Sequence, residues 1–562
     1  MIDNATEMKP AEACLSSRTR VLSLRWASRL EACDIATAVL IAALVVLALL
    51  TFKEYAISND EPVQHHYGEL ILRYYGSGFH DQRVFGFDNL YLYGGLFDII
   101  AVGLSHLLPI DPYELRHILC ALIGVAGIGA AAATARLIAG PRAGLIAAIA
   151  LSVCGVWYGA MFNHTKDIPF AAAMMGATLF LIRLARSLPR PRVGDIVAFG
   201  LLTGAALGMR VLGLLLVIYI GFAIALYLPR PWLNQGRARW HFVVESSLRL
   251  IPALFLAYAI MILAWPWAAL APLNPIRGLL AFSEFHYPIR TVLDGNIYEM
   301  AHVPRLYVPT YILIRVPLLT LFGAVLGLAF ALLPRLVAGR TQALQRDIIL
   351  IGLTVIFPLA CQVICDGPAF TGLRHFLFVI PALAVLAGVG LDVAATTLSG
   401  RSRVMAFGAL AAMSACFLWN ALTLVELHPY EYLFYNPLVG GLQGVSRRYV
   451  LDYWFDSMPE AIHELETYVR ATDPVGAGRG PVPVYSVAVC GIRLSFEKTV
   501  TLPRLRFTPR WDQSQFFIAP THMNCDRALD GKVVGTVKRL GVVIAYVKDR
   551  RALTAPVATA TR

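Results

Sequence analysis

An acidic pair just after the first apolar segment, Asp60 and Glu61 in the sequence Asn59-Asp60-Glu61-Pro62, is the feature best suited to chemistry. Two carboxylates at a membrane surface can supply a general base, or ligands for a cation, where a lipid-linked substrate presents its head group. The same pattern suits the start of a helix, because an acidic residue caps the helix and proline fits its first turn. Taken alone, the local pattern favours capping over catalysis.

A second polar motif, Asn163-His164-Thr165-Lys166-Asp167, precedes another apolar segment. The topology derived below puts it on the same side of the membrane as Asp60. The simpler interpretation is a loop in which Asp167 caps the helix that follows. The alternative is a second acidic loop of one active site.

Cationic side chains form a third group of candidates, because they lie at the predicted outer ends of membrane spans. Ionisable residues near membrane depth are costly and suggest function. The planar fork of arginine suits phosphate, although long cationic side chains also reach out to lipid head groups without any specific role. Both interpretations stay open for this group, which is Lys166, Arg210, Arg315, Arg374 and His375.

Several other kinds of site are absent from the sequence. It contains no P-loop, no GxGxxG motif after a strand and no GxSxG motif, so it shows no sign of a nucleotide site or of a serine hydrolase. It has no CxxC or CxxH cluster, which argues against a structural zinc site. The net charge of +12 is explained by basic cytoplasmic loops, and no nucleic-acid partner is expected.

Long apolar segments must position these candidates. Of the 562 residues, 57% are hydrophobic and only 15% are charged, and the mean hydropathy is +0.63. The sequence predicts an α-helical polytopic membrane protein with about 11–13 membrane helices. The predicted spans are 34–52, 114–136, 143–161, 168–186, 195–209, 211–228, 249–271, 310–333, 347–364, 376–397 and 404–424. Two short helices turning at Arg210 account for 195–228.

The distribution of arginine orients these spans, because cytoplasmic loops are enriched in Lys and Arg. The bias holds if residues 1–33 are cytoplasmic and if the apolar helix 91–108 lies along the membrane surface without crossing it. The membrane part, 34–424, then has two long outer loops, 53–113 and 272–309. Residues 425–562 lose the long apolar runs and alternate like short strands, which predicts a small α/β domain outside the membrane.

The cysteines fit this placement. Only Cys490 and Cys525 fall in the predicted outer domain, where an oxidising compartment permits a disulfide. Spacing alone leaves paired and reduced states equally open. We predict that the two residues pair.

These features together resemble the GT-C superfamily of glycosyltransferases that use polyprenyl-phosphate sugars, and most closely glycosyltransferase family 39. That family contains protein O-mannosyltransferases and lipid A aminoarabinose transferases. The resemblance covers roughly residues 30–450 and points to its bacterial members. It rests on an uncleaved first span, an acidic pair opening a long outer loop, and the segments NDEPVQHHYGELILRYY, YLYGGLFDIIA, LPIDPYELRH, NHTKDIPFAAAM, TGLRHFLFVIP and HPYEYLFYNPLVGGLQGV.

The resemblance implies an inverting transfer of a sugar from a polyprenyl-phosphate donor to an unknown acceptor, at the outer face of a bacterial inner membrane. Asp60 would be the catalytic carboxylate with Glu61 beside it, and Asp167 the second acidic position. Lys166 would face the lipid phosphate. Further ligands for phosphate or sugar would come from Arg210, Arg315, Arg374 and His375. No cofactor is certain, but Mg²⁺ or Mn²⁺ could be held by Asp60 and Asp167.

The main rival hypothesis is a transporter or flippase for lipids or lipid-linked sugars, which would also need charges within the membrane. Against it, the sequence shows no repeated half, and its polar candidates cluster in outer loops. A second rival is a receptor or assembly protein in which Asp60 is only a helix cap. Glycosyl transfer by the reconstituted protein would separate the three hypotheses.

Overall fold

A computed structural model describes residues 31–232, 235–283, 289–333, 342–473 and 483–554. The predicted cytoplasmic segment 1–33 therefore lies outside the described residues except for its last three positions. The chain begins with α1 (Ala32–Thr51), α2 (Glu61–Gly76), α3 (Leu96–Ser105), α4 (Pro112–Ala139), α5 (Pro141–Ser152), α6 (Gly155–Tyr158), α7 (Ala160–Asn163), α8 (Asp167–Arg186) and α9 (Val193–Leu207).

The middle of the chain continues the helical bundle and adds one small hairpin. Its elements are α10 (Leu215–Tyr227), α11 (Gly236–Ala264), α12 (Pro266–Leu270), α13 (Asn274–Ser283), the hairpin strands β1 (Arg290–Leu293) and β2 (Asn296–Glu299), α14 (Tyr307–Arg315), α15 (Leu318–Leu332), α16 (Gln342–Ile364), α17 (Ile380–Arg401) and α18 (Arg403–Leu427).

The protein is a polytopic α-helical membrane protein, as its sequence predicts. Within the described ranges, seven helices are long and apolar enough to cross a membrane, and two bent helix pairs raise the number to nine. Three shorter apolar helical segments, at 96–105, 193–207 and 211–227, accompany them. Every predicted span is helical over most of its length.

Two predicted spans are broken. The segment predicted at 310–333 is two helices, α14 and α15, that meet at 114°. Val316 has extended backbone because it precedes Pro317, and a proline ring disfavours helical backbone in the residue before it. The segment predicted at 143–161 bends by 67° after α5. The predicted turn at Arg210 is confirmed, since that residue is extended between two helical segments.

The apolar helix predicted at 91–108 is too short to cross a bilayer. Its α-helical part, α3, has ten residues and is therefore about 15 Å long. The hydrocarbon core is about 30 Å thick. Phe97 and Asp98 of this helix are buried against the bundle, which agrees with a helix lying at the surface of the membrane part.

Glycines let the helices of the core approach closely. A Cβ on Gly390 of α17 would lie 2.1 Å from the carbonyl oxygen of Gly323 of α15. A Cβ on Gly204 of α9 would lie 3.0 Å from backbone atoms of Ala257 in α11. Small residues at such contacts are typical of helices that pack closely within membranes.

The C-terminal part contains the strands β3 (Tyr485–Val489), β4 (Leu505–Phe507), β5 (Phe516–Pro520), β6 (Lys532–Arg539) and β7 (Val542–Asp549). They form a mixed five-stranded sheet in the order β4-β3-β5-β7-β6. Strands β3, β4 and β5 run parallel, whereas β7 is antiparallel to both β5 and β6. The predicted disulfide is present between Cys490 and Cys525, whose Cα atoms lie 6.5 Å apart. The helices of this part are α19 (Gly441–Val445), α20 (Met458–Thr472), α21 (Arg493–Thr499) and α22 (Arg551–Thr554).

Candidate active site

Arg374 joins the two acidic loops. Its Nη2 donates to Asp60 Oδ2, and its Nε donates to Asp167 Oδ2 at 2.9 Å. The side chains of Arg374 and Asp167 are only 13% and 2% exposed, whereas that of Asp60 is 35% exposed. One buried guanidinium therefore orients both carboxylates and leaves Asp60 as the one that solvent or substrate can reach.

Asp60 does not cap the helix that follows it. It occupies the N-cap position of α2, but its backbone is helical and its side chain makes no capping hydrogen bond. The capping interpretation, which the local pattern favours, is therefore wrong. The carboxylate instead pairs with Arg374. The local sequence does not indicate this pair, because the two residues meet only in the folded bundle.

Asp167 is the buried member of the pair. It begins α8, and its Oδ1 accepts a hydrogen bond from Arg210 Nη2. Arg210 reaches it from the break between α9 and α10, where the extended backbone turns the side chain into the bundle. Two arginines therefore neutralise Asp167, which suits a carboxylate that organises cations.

Lys166 is placed differently from the two arginines. Its Nζ lies 4.1 Å from the ring centroid of Tyr93, and no carboxylate in the described parts of the chain forms an ion pair with it. Burial lowers the pKa of Lys166 to about 8. The ammonium group thus faces the cavity without an anionic partner, over an aromatic ring that favours a cation.

A cavity of about 300 Å³ opens beside these groups. The predicted residues Asp60, Lys166, Arg210, Arg374 and His375 all contribute to its wall. The rest of the wall comes from Val63, Gln64, Asp88, Asn89, Leu90, Tyr93, Ile289 and Phe370. Asp167 lies directly behind the wall, where it contacts the wall residues Arg210 and Arg374.

An apolar cavity of about 260 Å³ adjoins the polar one. The two share four lining residues, Tyr93, Arg210, Phe370 and His375. Its remaining wall is mostly apolar and includes Val211, Leu212, Leu215, Leu279, Phe282, Pro358, Phe376 and Phe378. The polar cavity (the chamber) and the apolar cavity (the apolar groove) therefore meet at these four shared residues.

Glu61 lies outside this cavity, contrary to its predicted place beside the catalytic carboxylate. Its side chain is fully buried. Its Oε2 accepts a hydrogen bond from the backbone N–H of Ser58 at 2.8 Å and lies 3.1 Å from His117 Nε2. Successive residues at a helix start point in different directions, so the neighbour of Asp60 faces the bundle. Its contacts are those of a group that fixes the loop.

Arg315 is also separate from the cavity. Its guanidinium donates to Tyr435 Oη at 3.2 Å and to the backbone carbonyl of Tyr432, and its Cζ lies 4.5 Å from the ring centroid of Tyr435. The predicted role of Arg315 as a substrate ligand does not fit this placement. The sharp bend after α14 turns the residue toward the segment that follows the last span.

Sequence reasoning missed aromatic and amide groups of the site. Tyr93 supports Lys166 and lines both cavities. Gln64 Oε1 accepts hydrogen bonds from Thr165 Oγ1 at 2.8 Å and from Arg116 Nη2 at 3.1 Å, which ties the two loops together. No signal in one sequence separates these residues from the many aromatic and amide side chains of such a chain.

A divalent cation does not fit the site as it stands. The two carboxylates proposed as ligands, Asp60 and Asp167, are both engaged by Arg374. Across the described ranges, no group of three or more His, Cys, Asp or Glu side chains is arranged to hold a metal ion. The possible Mg²⁺ or Mn²⁺ stays a prediction, and no step below depends on it.

Comparison with known proteins agrees with the sequence resemblance. Residues 114–256 match the family model of dolichyl-phosphate-mannose-protein mannosyltransferases. The match covers 143 of the 562 residues, about a quarter of the chain. The matched segment runs from α4 into α11 and includes Lys166, Asp167 and Arg210 of the site. No curated protein matches this chain.

Solved structures also resemble this chain at low identity. ArnT from Cupriavidus metallidurans bound to undecaprenyl phosphate is 17% identical, with 91% of this chain and 97% of that chain covered and a TM-score of 0.47. Its apo state is 15% identical, with coverages of 94% and 100% and a TM-score of 0.49. Archaeal oligosaccharyltransferase AglB from Archaeoglobus fulgidus, in complex with an inhibitory peptide and a dolichol-phosphate, is 12% identical, with coverages of 85% and 69% and a TM-score of 0.42.

Proposed function

We propose that this family 39-like chain transfers a sugar from a polyprenyl-phosphate donor to an acceptor at the outer face of the membrane, with Asp60 as general base. One observation carries the proposal. The reachable carboxylate of Asp60 and the unpaired ammonium of Lys166 line the same cavity, and that cavity adjoins an apolar groove. Such a site matches the three parts of the substrate pair: a hydroxyl, a phosphate and a lipid.

The donor is assigned from the two adjoining cavities. The apolar groove suits an isoprenoid chain, because its wall offers few polar groups. The chamber beside it suits the sugar phosphate. The matched family is described by a dolichyl-phosphate sugar donor, which supports the same assignment.

Lys166 is the proposed phosphate ligand. Arg210 and Arg374 are already paired with carboxylates, so most of their charge is compensated. Lys166 has its charge available, and it lies beside the residues shared by the two cavities. As the bond from the sugar to the phosphate breaks, the phosphate gains negative charge, and a nearby cation stabilises it.

Asp60 is the proposed base. The acceptor hydroxyl attacks the anomeric carbon on the face opposite the phosphate, and Asp60 takes the hydroxyl proton as the new bond forms. The electron pair of the broken bond leaves with the polyprenyl phosphate. Attack from the opposite face inverts the anomeric centre. Arg374 and Asp167 hold Asp60 in position for this step.

We infer the side of the membrane from the arginine distribution. Contacts place the first long loop and the C-terminal part side by side, since Lys498 Nζ lies 2.7 Å from Asp111 Oδ2 and His428 Nε2 lies 2.7 Å from Glu54 Oε2. Basic loops at the opposite ends of the spans support an outer location for both. The resemblance to bacterial members of glycosyltransferase family 39 supports a bacterial inner membrane as its location.

Turnover of the donor tests the proposal even though the acceptor is unknown. The purified protein in lipid vesicles is given polyprenyl-phosphate sugars of several types, and release of polyprenyl phosphate is followed with and without a membrane extract as acceptor source. We expect extract-dependent release by the wild type and its loss in Asp60→Asn. Asp81→Asn is the matched control, because Asp81 lies in the same long loop but pairs with Arg83 away from the cavity. Translocation of intact donor without release would favour the flippase hypothesis.

A further inference from the structure

The loop that follows the last membrane span packs directly on the second acidic loop. Tyr453 Oη hydrogen-bonds to His164 Nε2, and Asn163 Nδ2 donates to Asp456 Oδ2 at 2.9 Å. The ring of Trp454 lies 4.0 Å from the ring of His164. The chain therefore returns from α18 to cover the residues that lead into Lys166 and Asp167.

Trp454 also contacts the central cation of the site. The Cζ of Arg374 lies 4.7 Å from the ring centroid of Trp454, and Trp454 is only 5% exposed. Tryptophan is the best aromatic partner for a cation, and the attraction strengthens when water is excluded. Arg374 is thus held from three directions, by two carboxylates and by one ring.

The loop around Trp454 is rigidly fixed. Asp452 accepts hydrogen bonds from the backbone N–H groups of Asp456 at 2.7 Å and Ser457 at 3.1 Å. The next residue, Phe455, is buried and has a φ of 58°. A bulky residue in that region is strained and persists only where its surroundings determine the conformation, which is a frequent feature of functional sites.

We propose that Trp454 is a positioning residue for sugar transfer, holding the guanidinium of Arg374 so that Asp60 and Asp167 keep their places. This inference rests on the proposed function of Asp60. It makes the segment after the last span a part of the active site. In this role the ring acts through the guanidinium of Arg374, while its contact with His164 keeps the ring in place.

Removal of the ring separates positioning from donor binding. We expect Trp454→Leu to lower kcat for donor turnover about 10-fold or more, in line with loss of a desolvated cation–π contact. The KM for the donor changes less, because Lys166 and the apolar groove are untouched. Trp454→Tyr keeps an aromatic face and restores most of kcat. Trp511→Leu is the matched control, since Trp511 packs on Phe517 at the sheet, 5.3 Å between ring centroids.

A double-mutant cycle tests the contact without any turnover. Thermal unfolding is measured for Trp454→Leu, Arg374→Gln and the double variant. We expect the summed loss of stability in the two single variants to exceed the loss in the double variant. In the double variant the second substitution cannot break the contact again, because the first has already removed it. Strictly additive losses overturn the contact, and full kcat in Trp454→Leu overturns the positioning role. Coupling in the cycle with a wild type that turns over no donor instead overturns the proposed reaction.

Discussion

Arg374 and Asp60 form an ion pair although 314 positions separate them in the sequence. The same guanidinium binds Asp167, so the acidic loop after α1 and the acidic loop before α8 meet at one cation. This arrangement explains how a single exposed carboxylate is kept in a fixed orientation at the wall of a cavity. It also allows the role of Asp60 to be tested apart from the stability of α2.

Asp60→Asn should lower the turnover of donor by about 10²–10⁴-fold, the typical worth of a general base. The amide keeps the size of the side chain but cannot take the proton from the acceptor hydroxyl. Folding should change little, because the side chain of Asp60 does not cap α2 and Arg374 retains Asp167. Turnover and thermal unfolding measured on the same preparation check both statements. An active Asp60→Asn protein would remove Asp60 from the mechanism.

Glu61→Gln should show the reverse pattern. Glu61 is fully buried between the backbone of Ser58 and His117 and does not line the cavity. Glu61 Oε2 makes both contacts, so a glutamine keeps them only by placing its NH₂ group at the Oε1 position, where it faces Arg116 Nε at 3.9 Å. Loss of the buried negative charge and a donor facing this cation should cost roughly 1–3 kcal/mol of stability. We expect a lower melting temperature and a smaller loss of turnover than in Asp60→Asn. Equal losses of turnover at unchanged stability would instead assign Glu61 a chemical role.

Much of the fold is predictable from the sequence, because the length of an apolar segment identifies a membrane span. The breaks are harder to predict. The turn at Arg210 is signalled by a charge within an apolar run. The 114° bend between α14 and α15 follows a similar charge, Arg315, and Pro317, but many membrane helices tolerate a proline without such a bend. Tertiary packing decides between a kink and a corner.

The residues of the site also divide into those that the sequence identifies and those that only the folded structure brings together. Residue type and topological place identify Asp60, Lys166, Asp167 and Arg374, since charge near the membrane is costly and therefore informative. The orientation of Glu61 is not encoded in the local pattern. Trp454 could not be found at all, because nothing in the sequence indicates that the loop after α18 returns to Arg374.

The disulfide offers a test of topology as well as of stability. Cys490 and Cys525 are bonded, and such a bond persists in an oxidising compartment. Replacing both by serine should destabilise the C-terminal part by roughly 2–4 kcal/mol. Protein taken from membranes under thiol-blocking conditions should show no alkylation at these two positions. Complete alkylation of both would place the C-terminal part in the cytoplasm and contradict the proposed orientation.

His428 should make stability fall at alkaline pH. It lies between Glu431, 2.6 Å from Nδ1, and Glu54, 2.7 Å from Nε2, and it links the first loop to the end of α18. The hydrogen bond and charge of Glu431 lead the causes that raise the pKa of His428 to about 9. A raised folded-state pKa gives stability that is complete below the unfolded pKa near 6.5 and is lost as pH rises through about 9.

Thermal unfolding from pH 6 to pH 10 checks this prediction. In His428→Gln, the part of the alkaline destabilisation that belongs to the imidazolium should disappear. His463→Gln is a suitable control, because no ion pair is assigned to His463 in the described part of the chain. Identical pH curves for wild type and His428→Gln would show that the link carries no charge.

Lys166 should make donor affinity depend on pH. Burial lowers the pKa of its ammonium group to about 8, so the charge is present below that pH and is lost above it. If Lys166 holds the phosphate, the KM for the polyprenyl-phosphate sugar should rise between pH 7 and pH 9.5. Lys166→Arg keeps its charge throughout this range, because arginine stays protonated in proteins. That variant should therefore flatten the pH profile even if its affinity is lower, whereas Lys166→Met should have a high KM at every pH.

Lys53→Met is the control, since the exposed Lys53 pairs with Glu114 away from the cavity. A wild-type KM that is constant across the range, with normal affinity in Lys166→Met, would exclude Lys166 as the phosphate ligand and leave Arg210 and Arg374 as the cations to test.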